Sequence, residues 1–462
     1  MVPKNLGAFL DTIPEYKRLR KGLEIRGSQY ILQSVNEGIP FTLAKLSIDL
    51  ERPMLILTSK QDEAQRIHEN MNFWGAPNTH LLSETEVLPF ERVAADTQLE
   101  DKRISVLSSL IDAREPISVI SSAFAISQKT VLPKEFKQVQ TTLIKGGSFK
   151  LRSLLDLWSM SGYSVVSIVE TPGQISHRGG IVDIFPANSQ FPFRIEFLGD
   201  HIETIRKFDP YSQRSIELVK SFTVNTATES LVNKGFIRKL KDLSDSNANS
   251  CLSDKDKTRI QEELDLFATN EHSTLRDSLN FYAGFLNEGS LFEYIPKDSL
   301  IVVCNPVEFA NTVKKSDQRV DDIRKKKESR GQIPDSFPSP YFSWSQVNRK
   351  LRRFTDRINI VPWAAFENKT ANQFSLPITT SECFFGNLDR VSKRIRELSE
   401  SGSTVVLITS QEKRVQEVLT DHGLKIYEGP TFNGTILSGS VVMLKSSKIH
   451  NAPGLSIKFK NK

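Results

Sequence analysis

With 462 residues the chain is too long for one ordinary hydrophobic core, since single cores stop growing at roughly 250–300 residues, so several domains are expected. Hydrophobic residues at 38% and charged residues at 25% exclude a disordered or low-complexity polymer. The balance of 61 basic against 55 acidic residues gives +6, too mild an excess to argue alone for nucleic acid or an acidic partner.

Cys251, Cys304 and Cys383 lie far apart, and no CxxC spacing occurs. A zinc ribbon, a redox pair and a disulfide framework are therefore not expected. The seven histidines include no HExxH, so neither metal nor cofactor is expected. The start, Met1-Val2-Pro3-Lys4-Asn5, lacks a charged region followed by an apolar core. No apolar run approaches the roughly 20 residues that span a bilayer. A cytoplasmic protein without membrane contact is the expectation.

In chain order, residues 1–143 read as α/β. A polar helical lead-in, Thr12 to Leu23, precedes the apolar run Pro40-Phe41-Thr42-Leu43-Ala44, which reads as a short strand. Pro53 to Thr58 reads as a buried strand, Gln61 to Trp74 as an amphipathic helix, and Thr79–Leu82 and Ile117–Ser121 as two further strands. Strands alternating with helices imply a mostly parallel sheet. Between 144 and 225 short strands dominate: Ser164–Val169, Gly180–Phe185, Phe193–Phe197 and Glu203–Phe208, punctuated by Gly179-Gly180 and Gly199-Asp200. That spacing predicts an antiparallel meander. Residues 226–345 read as charged helices ending in a linker with Pro334, Pro338 and Pro340. From 346 to 462 α/β character resumes, with strands at Ile358–Val361, Thr404–Thr409 and Val441–Leu444 and helices at Asn387–Leu398 and Gln411–Leu419.

A strand-helix opening invites a search for a P-loop, whose glycine-rich backbone cradles phosphates while a lysine and a Ser/Thr reach the terminal phosphate and magnesium. No GxxxxGK[ST] occurs; the segment in its place, Gly38-Ile39-Pro40-Phe41-Thr42-Leu43-Ala44-Lys45-Leu46, has one glycine. Lys45 is expected to be a plain surface lysine. No GxSxG elbow marks a hydrolytic serine either. No catalytic residue is expected in this chain.

The most informative stretch runs from Gly162 to Arg214. It contains Arg178-Gly179-Gly180-Ile181-Val182-Asp183-Ile184-Phe185-Pro186, then Pro192-Phe193-Arg194-Ile195-Glu196-Phe197-Leu198-Gly199-Asp200-His201-Ile202, then Phe208-Asp209-Pro210. This ordered succession resembles the small β-rich domain shared by the repair protein UvrB and the bacterial transcription-repair coupling factor. Leu82-Ser83-Glu84-Thr85-Glu86-Val87-Leu88-Pro89-Phe90-Glu91 resembles a signature of the coupling factor, and only Arg92 to Lys102 separates it from the helix expected at Arg103–Ile111, with no room for UvrB's DNA-clamping hairpin. The tail from Phe385 to Gly429 resembles the third domain of that family.

The resemblance implies an α/β fold class: a UvrB-like degenerate P-loop-type parallel-sheet domain with an inserted antiparallel β-rich domain, followed by a smaller α/β domain. It implies a non-catalytic module that recruits UvrA in transcription-coupled nucleotide excision repair. The alternative is a nucleotide-dependent DNA helicase or an excision-nuclease subunit. In the full-length family the ATP-dependent translocase motor and the contacts with RNA polymerase and double-stranded DNA lie beyond this region, so the chain reads as a fragment or truncated product. The positions matching Arg178, Arg194, Glu196 and Leu198 are implied to dock UvrA. Leu198 stands where the family often has an aromatic, and Val165 where it often has a basic residue.

Read from the residues alone, Phe193, Ile195 and Phe197 share one strand face and Arg194 and Glu196 the other. Unaided by the resemblance, Arg194 and Glu196 would be a solvated strand face worth little. The basic groups at Lys314-Lys315 and Arg324 to Lys327 are interleaved with acids and read as solvated helix; Arg349 to Arg353 is less so. Phe342, Trp344 and Phe354 are expected to pack a domain junction, and Phe384-Phe385 to be core.

Overall fold

In the computed structural model the described residues are 6–462, apart from 86–87, 94–95, 246–251, 269–275, 336, 363–371, 381–387, 402–404, 410–411, 425, 429–440, 446–454 and 458–462. The chain first lays down β1 (Gln29–Gln33), β2 (Met54–Thr58), β3 (Thr79–Leu82) and β4 (Ser118–Ser122). It leaves through β5 (Thr141–Ile144) and builds β6 (Ser164–Val165), β7 (Gln174–Arg178), β8 (Ile181–Phe185), β9 (Phe193–Leu198), β10 (His201–Phe208) and β11 (Ser215–Leu218). It returns through β12 (Ser221–Val224) and adds β13 (Leu300–Cys304), β14 (Arg357–Val361) and β15 (Gln373–Ser375).

The first sheet has seven strands in the order β15-β1-β14-β13-β2-β4-β3, every pairing parallel. Alternate residues of its central strands feed opposite cores. Met54, Ile56, Ile120 and Val302 join one with helices α1 (Pro14–Leu23), α2 (Gly38–Leu50) and α3 (Gln61–Phe73). Leu55, Leu57, Val119 and Val303 join the other with α4 (Thr97–Asp112) and the later helices. Both faces being covered, these strands read as continuous apolar runs rather than alternations.

The β-rich unit is a six-stranded sheet, β11-β10-β9-β8-β7-β6, antiparallel except for β6 beside β7. Its inner face packs on α5 (Leu151–Met160) through the fully buried Trp158, with Ile175, Val182, Ile195 and Ile205. Entry and exit strands β5 and β12 pair antiparallel, so the unit leaves the first sheet on a two-stranded stem. Phe193 and Phe222 stack at 4.0 Å where stem meets sheet.

Helices α6 (Lys234–Asp245), α7 (Asp254–Ala268) and the long α8 (Pro306–Ser329) follow, then α9 (Trp344–Leu351). A smaller unit has a three-stranded parallel sheet of β17 (Val405–Thr409), β19 (Val441–Lys445) and β18 (Ile426–Glu428), with α10 (Leu388–Glu400) and α11 (Glu412–Asp421). Strands β16 (Ile378–Thr380) and β20 (Leu455–Ile457) pair separately. The fold class expected from the sequence is borne out: a parallel α/β sheet interrupted by an antiparallel β-rich unit.

Several local readings need correction. Pro40–Ala44 is not a strand; it lies in α2, whose residues 38–44 are all buried. A short apolar run cannot separate a buried strand from an all-round apolar helix, and Pro40 is tolerated in a first turn. The strand expected there is β1, which ends at Gln33, seven positions before Pro40. Residues 226–345 are not purely helical, because Leu300–Cys304, buried throughout, lies at the centre of the sheet. Strand β14, expected to open the following α/β unit, lies between β1 and β13. Lys45 is no plain surface lysine: it is mostly buried and pairs with Asp11 at 3.0 Å and with Asp49. Phe342 and Phe354 pack in the core behind the sheet, with Trp344 partly buried against it. The reading of Phe384-Phe385 falls outside the described residues.

One buried charge ties together the starts of β1, β2 and β14. Asp356, immediately before β14, accepts from Arg52 at 2.6 Å and from the backbone N–H groups of Gly27 and Ser28. Burial alone would raise its carboxyl, but these three donors more than offset it and hold it below the ordinary range. A depressed folded value means stability that is complete above the unfolded value of about 4 and lost as pH falls through the folded one. Asp356→Asn should therefore lose stability at neutral pH and flatten the acid limb of a stability–pH profile followed by urea unfolding.

Candidate docking surface

The outer face of the β-rich sheet is built by register. Gly179-Gly180 closes the β7–β8 hairpin, with Arg178 opposite Ile181; Gly199-Asp200 closes β9–β10, with Leu198 opposite His201. Gly179 and Gly199 have φ of +60° and +63°, which a two-residue hairpin of this hand favours. A Cβ on Gly180 would meet the Phe197 carbonyl at 2.6 Å, so the two hairpin tips lie side by side.

Two cross-strand rows follow. One carries Arg178, Ile181, Glu196 and Thr204; its neighbour carries Ser176, Asp183, Arg194 and Arg206. The sheet thus brings Arg178, Arg194 and Glu196 onto one face, with Leu198 at its hairpin edge. Val165, on the edge strand β6, is exposed.

Their commitments differ. Arg194 donates from Nε and Nη2 to both oxygens of Asp183, at 2.7 and 2.8 Å, and its guanidinium lies 4.8 Å over the Phe208 ring. The hydrogen bond to Asp183 holds Arg194 even more firmly protonated than usual. Its planar fork is occupied within the sheet, contrary to the simple picture of an arginine offered to a partner. Glu196 accepts from Thr204 at 2.6 Å and from Arg206 at 3.2 Å. Arg178 is exposed and gives Nη2 to the Ser167 carbonyl at 2.6 Å, so part of its five-donor set still faces outward.

The sequence reading missed Ile181, 42% exposed beside Leu198 at 68%, which makes the hairpin end apolar as well as basic. The signal was present: Ile181 alternates with Asp183 and so shares its face. At the other end of this face Val169, Phe185 and Phe208 form a small buried cluster with Val166. Residues 166–169, read as strand, instead fold over that cluster.

These contacts set opposite expectations for two arginines. Arg194→Ala leaves the mostly buried Asp183 without its partner and uncovers Phe208, so urea unfolding should register a loss of about 1–3 kcal/mol. Arg178→Ala should stay within about 0.5 kcal/mol, as surface changes usually do. Equal losses would contradict this division.

The β-rich unit and its stem also stand out in comparison with known proteins. Residues 142–229 match the UvrB interaction domain. The transcription-repair-coupling factor of Bacillus subtilis is 25% identical over 309 residues, covering 65% of this chain and 26% of that protein. That of Myxococcus xanthus is 28% identical over 218 residues, 45% of this chain and 18% of its own length. That of Haemophilus influenzae is 22% identical over 343 residues, 73% of this chain and 28% of its own. The chain thus spans about a quarter of the length of such relatives. The resemblance drawn from the motifs is borne out: residues 142–229 match a UvrB interaction domain, in a chain similar to the transcription-repair coupling factors over about half to three quarters of its length.

Proposed function

We propose that this chain is a recruitment module of transcription-coupled nucleotide excision repair, docking UvrA through the hairpin end of its β-rich sheet. The observation that carries the reading is the coincidence of the matched interaction domain with an outward face holding Arg178, Ile181 and Leu198. Arginine with a partly uncommitted fork suits a partner's carboxylate, and adjoining apolar side chains supply desolvated anchor area. Glu196, bridged by Thr204 and Arg206, and Arg194, locked by Asp183, hold the face in shape and present their remaining edges. RNA polymerase and double-stranded DNA are the partners proposed for a longer protein of this family.

The same reading makes the chain non-catalytic. Where a phosphate cradle would open α2, a Cβ on Gly38 would meet the buried Ile378 side chain at 2.9 Å, so the space is filled by an apolar group. Lys45 further along that helix is held by Asp11 and Asp49. Equilibrium dialysis with magnesium-ATP should show no saturable binding at micromolar concentration; saturable binding there would contradict the proposal.

For docking, purified UvrA is captured on the immobilised chain. Arg178→Ala should weaken capture by about 2–5 kcal/mol if its pair is buried, and much less at a rim. Leu198→Ala should weaken it as well. Arg178→Lys keeps the charge and loses the planar fork, so a loss comparable to that of alanine indicates bidentate contact. Unaltered capture by the double variant Arg178→Ala/Leu198→Ala would refute this surface.

A further inference from the structure

A second site lies on the first sheet, away from the docking face. Each of its walls follows the carboxyl end of a parallel strand: Ser59-Lys60-Gln61 after β2, Glu84-Thr85 and Leu88-Pro89 after β3, Phe124 after β4, and α8 after β13. The cleft between them measures about 370 Å³. Crevices beyond the carboxyl ends of parallel strands are where open α/β sheets bind ligands. Glu84, Thr85, Leu88 and Pro89 in this wall belong to a motif that the docking role leaves unused.

The chemistry of the lining is specific. Ser59 is 2% exposed, and its Oγ has no hydrogen-bond partner. A buried hydroxyl with no partner is costly and points to an absent one. Gln61, which also lines the cleft, has a buried amide oxygen with no partner. Since amide oxygen and nitrogen are interchangeable by rotation, the same group can turn a donor inward.

Gln61 also opens α3, a 13-residue helix whose N-cap, Lys60, provides no side-chain cap. Its amino end carries partial positive charge. Lys60 and Arg319 are exposed at the rim, and Thr312, Ser316 and Arg319 fall on one face of α8 at helical spacing. The acids nearby are engaged: Glu84 accepts from Ser122 Oγ, Glu63 from the Ser59 N–H at 3.4 Å, and Asp62 from the Glu63 N–H at 2.9 Å, which leaves the earlier N–H groups of α3 to an anion.

We infer that this cleft binds a phosphate-class oxyanion, received by the Ser59 hydroxyl and the amino end of α3 and held by Lys60 and Arg319. The ligand chemistry is a tetrahedral, multiply accepting anion, because Ser59, Gln61, Thr312 and Ser316 can donate and Lys60 and Arg319 are cationic, while Glu84 in the wall is turned to Ser122. It is distinct from the nucleotide position at the start of α2, which Ile378 fills. Its source is either a free phosphate or a backbone phosphate of a single strand lying along the rim.

The test uses the full chain with two probes at low salt: inorganic phosphate by equilibrium dialysis, and a fluorescent oligothymidylate of about ten nucleotides by anisotropy. At least one probe should bind, with affinity falling as salt rises. Lys60→Ala/Arg319→Ala should weaken that binding at least about ten-fold, whereas Lys17→Ala/Lys21→Ala on α1, with the same charge change, should leave it within about two-fold. Ser59→Ala should weaken it without lowering the melting temperature, a result that a packing role for the hydroxyl would not give. Oligonucleotide binding that phosphate competes away only at high concentration assigns a backbone phosphate; phosphate binding alone assigns the free ion. If neither probe binds, or if both double variants behave alike, the inference is overturned.

Discussion

A buried ion pair between Arg103 on α4 and Glu229, just past the stem strand β12, sets how the β-rich unit is carried. Arg103 is 1% exposed; it donates from Nε and Nη2 to the Glu229 carboxylate and from Nη1 to the Ser83 carbonyl at 2.7 Å. Glu229 also accepts from Thr130 at 2.7 Å. One turn earlier on α4, Glu100 accepts from the Thr228 hydroxyl and the Glu229 N–H. Breaking such a pair by removing one member costs about 3–5 kcal/mol, because the survivor is a buried charge without compensation. With the β5–β12 pairing, this gives the inserted sheet two fixed attachments instead of one flexible tether. The proposed docking role needs a face of defined direction, and these contacts tie the β-rich unit to α4 and the strand β3 exit.

On the outer face most of the polar capacity is committed within the sheet. Arg194 and Glu196 have the residue types of an interface, yet most of their capacity is spent on Asp183, Thr204 and Arg206. Such pairing keeps a half-exposed sheet face rigid and polar. What remains for a partner is concentrated at the hairpin tips, where glycines bring Arg178, Ile181 and Leu198 together. A partner meeting a preformed arrangement pays less ordering entropy on binding.

Much of this was legible in the residues. Strands with continuous apolar runs, such as Met54–Thr58, and those with clear alternation, such as Phe193–Phe197, fall where the pattern places them. The Gly-Gly and Gly-Asp punctuation fell at the hairpins. What failed was what depends on distant sequence. Leu300–Cys304 is five apolar residues inside a helical stretch, and only pairing with β2 and β14 makes it a central strand. Gln29–Gln33 is flanked by polar residues and gains its place from β14 and β15, more than 320 residues later. At the candidate site, alternation indicated which side chains share a face but not that Asp183 stands opposite Arg194, because register across a seven-residue connection is invisible in one strand's period. Ser59 gave no signal at all: an unpartnered hydroxyl is a property of its surroundings.

We propose that the hairpin end of the β-rich sheet docks its partner in a direction fixed by the buried attachments. Hydrogen–deuterium exchange of the chain with and without purified UvrA tests it most directly. New protection is expected at residues 176–183 and 194–203, with exchange across 225–230 already slow in the free chain and unchanged on binding. Protection confined to the first sheet or the smaller α/β unit, with the hairpins exchanging as before, would contradict it.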